Sequence, residues 1–135
     1  MKDPVVEYIG YADVKKRAEL LSKAKAVFTP STYLEPFCGV HVEAMLCGTP
    51  VITTDFGAFT DYVINGLTGY RCNTLQDFVD AARLVEDLSP RVIRKYATKF
   101  TLDSVKWEYQ RWFQDLYRWY QSSIDPEKKG WHYLE

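Results

Sequence analysis

Short β-branched, apolar runs alternate along this chain with segments of helical period, and that alternation restricts the fold more than any other feature. Lys25–Thr29, centred on Ala26-Val27-Phe28, reads as a buried strand, and Val51-Ile52-Thr53-Thr54 as the next. Tyr70-Arg71-Cys72 suits a third, and Val5–Ile9, ended by Gly10, has the same β-rich character. Between them, Asp13 can cap a helix through about Lys23 with Val14, Ala18 and Leu21 at helical spacing. An apolar helix spans roughly Gly39 to Cys47, closed by Gly48 and Pro50. Gly57, Asn65-Gly66 and Gly69 punctuate the following segment into turns. Leu75, Phe78, Val79, Ala82 and Val85 give an amphipathic helix, and Pro90 opens another to about Thr98. Leu102, Val105, Tyr109, Trp112, Phe113, Leu116 and Tyr120 form the apolar face of a long last helix. Such an order implies an α/β fold, with a parallel sheet covered on both faces.

Ligands of such sheets sit beyond the carboxyl ends of the strands. The loop from Pro30 to Phe37 leaves such an end and leads into the apolar helix Val40-His41-Val42-Glu43-Ala44-Met45-Leu46-Cys47. Glu43 is the anomaly in that helix, because a buried carboxylate must be paired or hydrogen-bonded. Two readings stand: an acid near a helix start, partly solvated and helped by the helix dipole, or a carboxylate held for a ligand's hydroxyl groups. Glu35 likewise reads as an exposed loop acid or as a second ligand group. The amides from Phe37 to Val40 are helix-start donors, suited to an anion such as a diphosphate. Carboxylates suit sugar hydroxyls and amides suit phosphates, so the segment has the chemistry to hold a sugar nucleotide.

The run from Glu35-Pro36-Phe37-Cys38-Gly39 through Glu43-Ala44-Met45-Leu46-Cys47-Gly48-Thr49-Pro50 to Ile52 resembles the E-x7-E signature of glycosyltransferase family 4. Its flanks agree. Thr29-Pro30-Ser31 resembles the strand end before that motif, and Gly57 to Gly69 resembles the family's Gly-Gly-x-Pro-Glu-x-Val-x-x-Gly-x-x-Gly stretch. Tyr8 to Asp13 is similar to an earlier strand and turn of the family, so the likeness runs from about Val5 to Phe113. The resemblance implies a Rossmann-like, three-layer domain, the C-terminal half of a GT-B enzyme, in which donor and acceptor lie between two such domains. It implies retaining transfer of a sugar from a UDP-, GDP- or ADP-linked donor, with no cofactor and no bound metal. The acceptor, a glycan, lipid or small molecule, would be held by an N-terminal domain that this chain lacks, and the fragment alone would be inactive. Glu35 would touch hydroxyls of the donor sugar, as the catalytic residue of the set. Glu43 would hold the ribose, while Phe37, Cys38, Gly39 and Val40 would lie at the diphosphate. Gly10 and Tyr11 would lie near the base.

The sequence departs from the family's pattern in three places. Cys38 stands where the family usually has glycine, which is harmless unless the backbone there needs positive φ or close phosphate approach. In that event Gly39 is the residue to take over the close contact. Asp61 replaces the usual glutamate, and Phe59-Thr60 replaces x-Pro. The resemblance implies a further strand and helix ahead of the Val5–Ile9 equivalent, carrying the family's phosphate-binding Arg and Lys, so the expectation is that this stretch is missing here. The expectation is a donor-binding domain over residues 1–121, truncated at its N-terminal side, with a tail over residues 122–135. The closing Leu134-Glu135 is compatible with a native end or a cloning scar. The alternative is a non-catalytic sugar-nucleotide-binding module, or one half of a split enzyme.

The chain has 135 residues, 47% of them apolar, enough for one domain with a core. A net charge of -1 supplies no field for nucleic acid or an anionic membrane, and no apolar run approaches the ~18 residues of a membrane span. The odd cysteine count, Cys38, Cys47 and Cys72, suits a reducing, cytoplasmic compartment, with the full enzyme peripheral to a membrane as a variant, and with all three thiols as small buried hydrophobes. Cys38-x-x-His41 could suggest zinc or thiol chemistry, but His41 and His132 are the only histidines and no second cysteine pair has ligand spacing. No Walker loop or Gly-x-Gly-x-x-Gly is present. The aromatic stripe of Trp107, Trp112, Trp119 and Tyr120 reads as core or as an interface vacated by truncation, ahead of a carbohydrate platform.

Overall fold

Residues of one strand point alternately to opposite faces of a sheet, so the register of the three strands decides which side chains meet which helices. In the computed structural model residues 5–123 are described, and β1 (Val27–Thr29), β2 (Val51–Thr54) and β3 (Gly69–Cys72) form a parallel sheet in that order. Val27 pairs with Val51 and Thr29 with Thr53, while Phe28, Ile52 and Tyr70 form the alternate row. The latter row faces α4 (Leu75–Leu84): Phe28 meets Phe78 edge-on at 4.9 Å, and Ile52, Cys72, Ala81 and Val85 close a buried cluster. The row of Thr29 faces α2 (Gly39–Leu46), whose His41, Val42, Ala44 and Met45 are buried. α1 (Val14–Lys23) and α5 (Pro90–Ala97) pack on α2. The protein is therefore an α/β domain of Rossmann-like type, with helices on both faces of a parallel sheet.

Local chemistry explains the element ends. Asp13 caps α1 by accepting from the Lys16 amide at 2.8 Å. Thr74 and Asp77 form a reciprocal capping box at the start of α4. Pro90 takes the first turn of α5, where its missing N–H costs nothing. Gly69 is required by packing, since a Cβ there would lie 1.9 Å from the Val51 carbonyl oxygen of β2.

Four expectations need correction. Val5–Ile9 forms no strand; Val5, Val6 and Tyr8 are exposed, because β-rich composition makes a strand only where a neighbouring backbone supplies the ladder. The glycine-punctuated stretch after β2 contains a short helix, α3 (Phe59–Tyr62), with Phe59 and Tyr62 buried. On α4 Ala81 is buried and Phe78 half-buried, with Val85 buried just past its end, whereas Leu75, Val79 and Ala82 are exposed. Only Cys72 is buried; Cys38 and Cys47 are half-buried.

The chain divides into two compact units, Met1–Lys99 and Phe100–Glu135. In the second, α6 (Leu102–Ser123) is one long helix with Trp112 and Phe113 edge-to-face at 4.8 Å. Lys128-Lys129, His132 and Leu134-Glu135, and all of the expected tail beyond Ser123, lie outside the described residues. Among the described residues no helix is long and apolar enough to cross a membrane.

Candidate donor site

The loop of residues 30–38 runs from the carboxyl end of β1 to α2, and it enters the helix through Cys38 at φ 62, ψ 75. Among the described residues Cys38 alone combines a side chain with positive φ, a conformation that L-residues other than glycine, asparagine and aspartate seldom adopt. The sequence had flagged this position, as a cysteine where the resembling family has glycine. The amides of Cys38 and Gly39 have no partner among the described residues. A Cβ at Gly39 would meet open space. The start of α2 thus offers free donors beside an unobstructed backbone.

Neighbouring segments hold this loop at three points. Thr54 Oγ1 donates to the Ser31 carbonyl at 2.7 Å. The Ala58 amide donates to the Glu35 carbonyl at 3.1 Å. Gly57, at φ +65, lets the backbones approach so closely that a Cβ would sit 3.1 Å from the Glu35 oxygen. The third contact is the Tyr62 hydroxyl, which donates to the Phe37 carbonyl. Arg71 Nη1 in turn donates to the Thr60 carbonyl at 3.0 Å, tying α3 to the end of β3, and its Nε lies 3.2 Å from Asp55.

Behind the loop lies His41, fully buried on α2. Nδ1 is 3.1 Å from the Tyr62 hydroxyl, and Nε2 hydrogen-bonds the Thr29 hydroxyl. The direction of this chain follows from its end. A carbonyl can only accept, so Tyr62 donates to Phe37 and accepts from His41 Nδ1–H; Nε2 then keeps its lone pair and accepts from Thr29. Burial pushes the imidazole down to about 4 and the Tyr62 phenol far up, so both groups are neutral near pH 7. Sequence reading raised His41 only with Cys38, as a metal or thiol pair. In the structure both ring nitrogens are occupied, and burial raises the Cys38 thiol.

The two carboxylates have different surroundings. Glu43 is half-exposed, and Arg17 of α1 grips it with two nitrogens, Nε at 2.6 Å and Nη2 at 3.0 Å. Glu43 lies one turn beyond Gly39, on the same helix face. The Glu35 side chain is half-buried and its carboxylate has no partner among the described residues. Phe37, Cys38, Gly39 and Val40 are contiguous at the helix start, between these two acids. Gly10 and Tyr11 share no hydrogen bond with that group among the described residues. Gly10 has positive φ, +66, and Tyr11 is 94% exposed. Four residues beyond Asp13, Arg17 carries α1 across to Glu43. Arg17 escaped sequence reading, because a basic residue on a solvated helix face gives no sign of which neighbour it will meet.

Comparison with known proteins gives this arrangement a family. The description "Glycosyl transferases group 1" matches residues 3–100, which contain the loop, both carboxylates and all three strands. The chain is 42% identical over 65 residues to a glycogen synthase of Mycobacterium tuberculosis, covering 48% of this chain and 16% of that protein. It is 30% identical over 110 residues to a probable sucrose-phosphate synthase of Thermosipho melanesiensis, covering 76% of this chain and 26% of that protein. With a lipopolysaccharide 1,2-N-acetylglucosaminetransferase of Salmonella typhimurium it shares 29% identity over 103 residues, 72% of this chain and 27% of that protein. The matched region is thus only about a sixth to a quarter of these relatives' length. On the extent of the match, the chain belongs to the glycosyl transferases group 1 family, as a GT-B-type domain.

Proposed function

We propose that this chain is the donor-binding part of a retaining, family 4-type hexosyltransferase, and that it holds a nucleotide sugar at the start of α2. The observation that carries this reading is the pair of unpartnered amides at Cys38 and Gly39, set at the end of a parallel strand and flanked by Glu35 and Glu43. The diphosphate lies against these amides and that of Val40, with Phe37 alongside. Glu35, whose carboxylate is unengaged, takes hydroxyls of the transferred sugar. Glu43, oriented by Arg17, takes the ribose diol, and the turn at Gly10 and Tyr11 lies toward the base. No metal is needed, because helix-start amides meet the phosphate charge. The acceptor, a glycan, lipid or small molecule, is held by a domain outside this chain. Alone the chain therefore binds donor without transferring it, since orientation of two substrates supplies much of the rate.

Amide chemical shifts of the chain, titrated in parallel with UDP-, GDP- and ADP-glucose, test the reading. Shifts should centre on Phe37 to Glu43, with weak affinity, a dissociation constant of about 1 mM. Shifts confined to α6, or none with any donor, would overturn it. In a longer enzyme containing this domain, Glu35→Gln should lower kcat by about one to three decades. Glu43→Gln should mainly raise donor KM.

A further inference from the structure

We propose that Tyr62 and His41 are positioning residues of the donor site, acting through the Phe37–Cys38 peptide to aim the Cys38 amide at the phosphate. The inference rests on the donor reading for its ligand, but its structural half stands on the chain of hydrogen bonds alone. A trans peptide is planar, with its carbonyl and N–H pointing in opposite directions. The Phe37 carbonyl is drawn inward, onto the hydroxyl of a buried tyrosine. The N–H of the same peptide belongs to Cys38, and it must therefore point the other way, out of the core. That N–H is one of the two unpartnered amides at the start of α2.

The peptide would not hold that orientation by itself. It precedes a residue at φ 62, a backbone state that a cysteine occupies only when surroundings impose it. Rotation of the Phe37–Cys38 peptide would relieve Cys38 and turn its N–H away. Tyr62 opposes this rotation, and His41 fixes Tyr62. With Nδ1–H donated to the tyrosine oxygen, the phenolic proton is directed to the Phe37 carbonyl. Nε2 then accepts from the Thr29 hydroxyl of β1, which can serve either role and so adapts to the direction set at the carbonyl end. Thr29, His41 and Tyr62 belong to β1, α2 and α3, and none of them need touch the ligand.

Two measurements on the whole chain test this. In the wild type, His41 side-chain nitrogen shifts should report the neutral Nδ1–H tautomer from pH 6 to 8. The Nε2–H tautomer or an imidazolium would refute the direction of the chain, whatever any variant does. Tyr62→Phe keeps the ring and removes the hydroxyl. Amide order parameters at Cys38 and Gly39 should then fall from about 0.85 to below about 0.6, while those of β1, β2 and β3 stay unchanged. Dissociation constants for UDP-glucose and for pyrophosphate should each rise about fivefold to tenfold, as the competent loop population falls by that factor. Unchanged order parameters at Cys38 and Gly39 would overturn the proposal, and so would a uniform loss of order across the sheet. A wild type that keeps an ordered loop but binds no sugar nucleotide and no pyrophosphate would refute the donor reading instead.

Discussion

Replacement of Cys38 by glycine and by alanine isolates the cost of the left-handed turn. Either change removes the thiol, so that loss cancels between the two variants. The remaining difference is backbone. At φ 62, ψ 75 a Cβ costs about 1–2 kcal/mol, which alanine still bears and glycine does not. Glycine loses about 0.4–1 kcal/mol more conformational freedom on folding. Net, the glycine variant should be more stable than the alanine variant by about 1 kcal/mol. With a denaturant slope of about 1–3 kcal/mol per molar urea, the midpoints should differ by about 0.3–1 M. Urea titration of both variants, followed by tryptophan fluorescence with circular dichroism as a second probe, reads this directly. An alanine variant more stable than the glycine variant by about 0.4–1 kcal/mol would mean that Cys38 bears no left-handed strain in solution, and the orientation argument for its amide would fall with it.

Gly69→Ala should destabilise the domain by about 3 kcal/mol or more, because its Cβ meets the β2 backbone, which cannot yield without parting two strands. Gly66→Ala, at φ +74 but facing open space, should cost only about 1–2 kcal/mol; equal urea midpoints for the two would refute the packing argument. Stability should fall between pH 6.5 and about 4. In that window the unfolded chain protonates His41 and the folded chain does not, at up to about 1.4 kcal/mol per pH unit. His41→Gln should flatten that slope, and a slope unchanged in the variant would assign it to other groups. Arg17→Met should cost no more than about 1 kcal/mol in thermal or urea unfolding, since both partners of the Arg17–Glu43 pair are part-exposed. A loss above about 3 kcal/mol would show that the pair behaves as a buried one.

What the sequence reveals here is what depends on near neighbours. The strands around Val27 and Val51, the Asp13-capped start of α1 and the proline start of α5 are all local patterns, and all are present. The placement of Phe37 to Val40 at a strand end was equally legible, since it needs only the order of one strand, one loop and one helix. Readings failed where a distant partner decides. Val5–Ile9 has a strand's composition and no strand beside it; Leu75 has a core residue's place in the helical repeat and nothing packed over it. α3 was hidden because four residues between glycines carry too little periodicity to count, yet burial of Phe59 and Tyr62 makes it helical. The same limit explains why the site's supports were missed. Tyr62 lies 25 residues from Phe37, Glu43 lies 26 from Arg17, and Thr54 lies 23 from Ser31. Each bond is worth only about 1 kcal/mol, comparable to the strain at Cys38, which the Tyr62–Phe37 bond opposes. A cysteine at a left-handed helix entry is therefore helped by a contact that fixes the peptide before it. The departure from glycine at Cys38 and the hydroxyl at Tyr62 are best understood as one feature, a turn that the rest of the domain, not the turn's own sequence, holds in place.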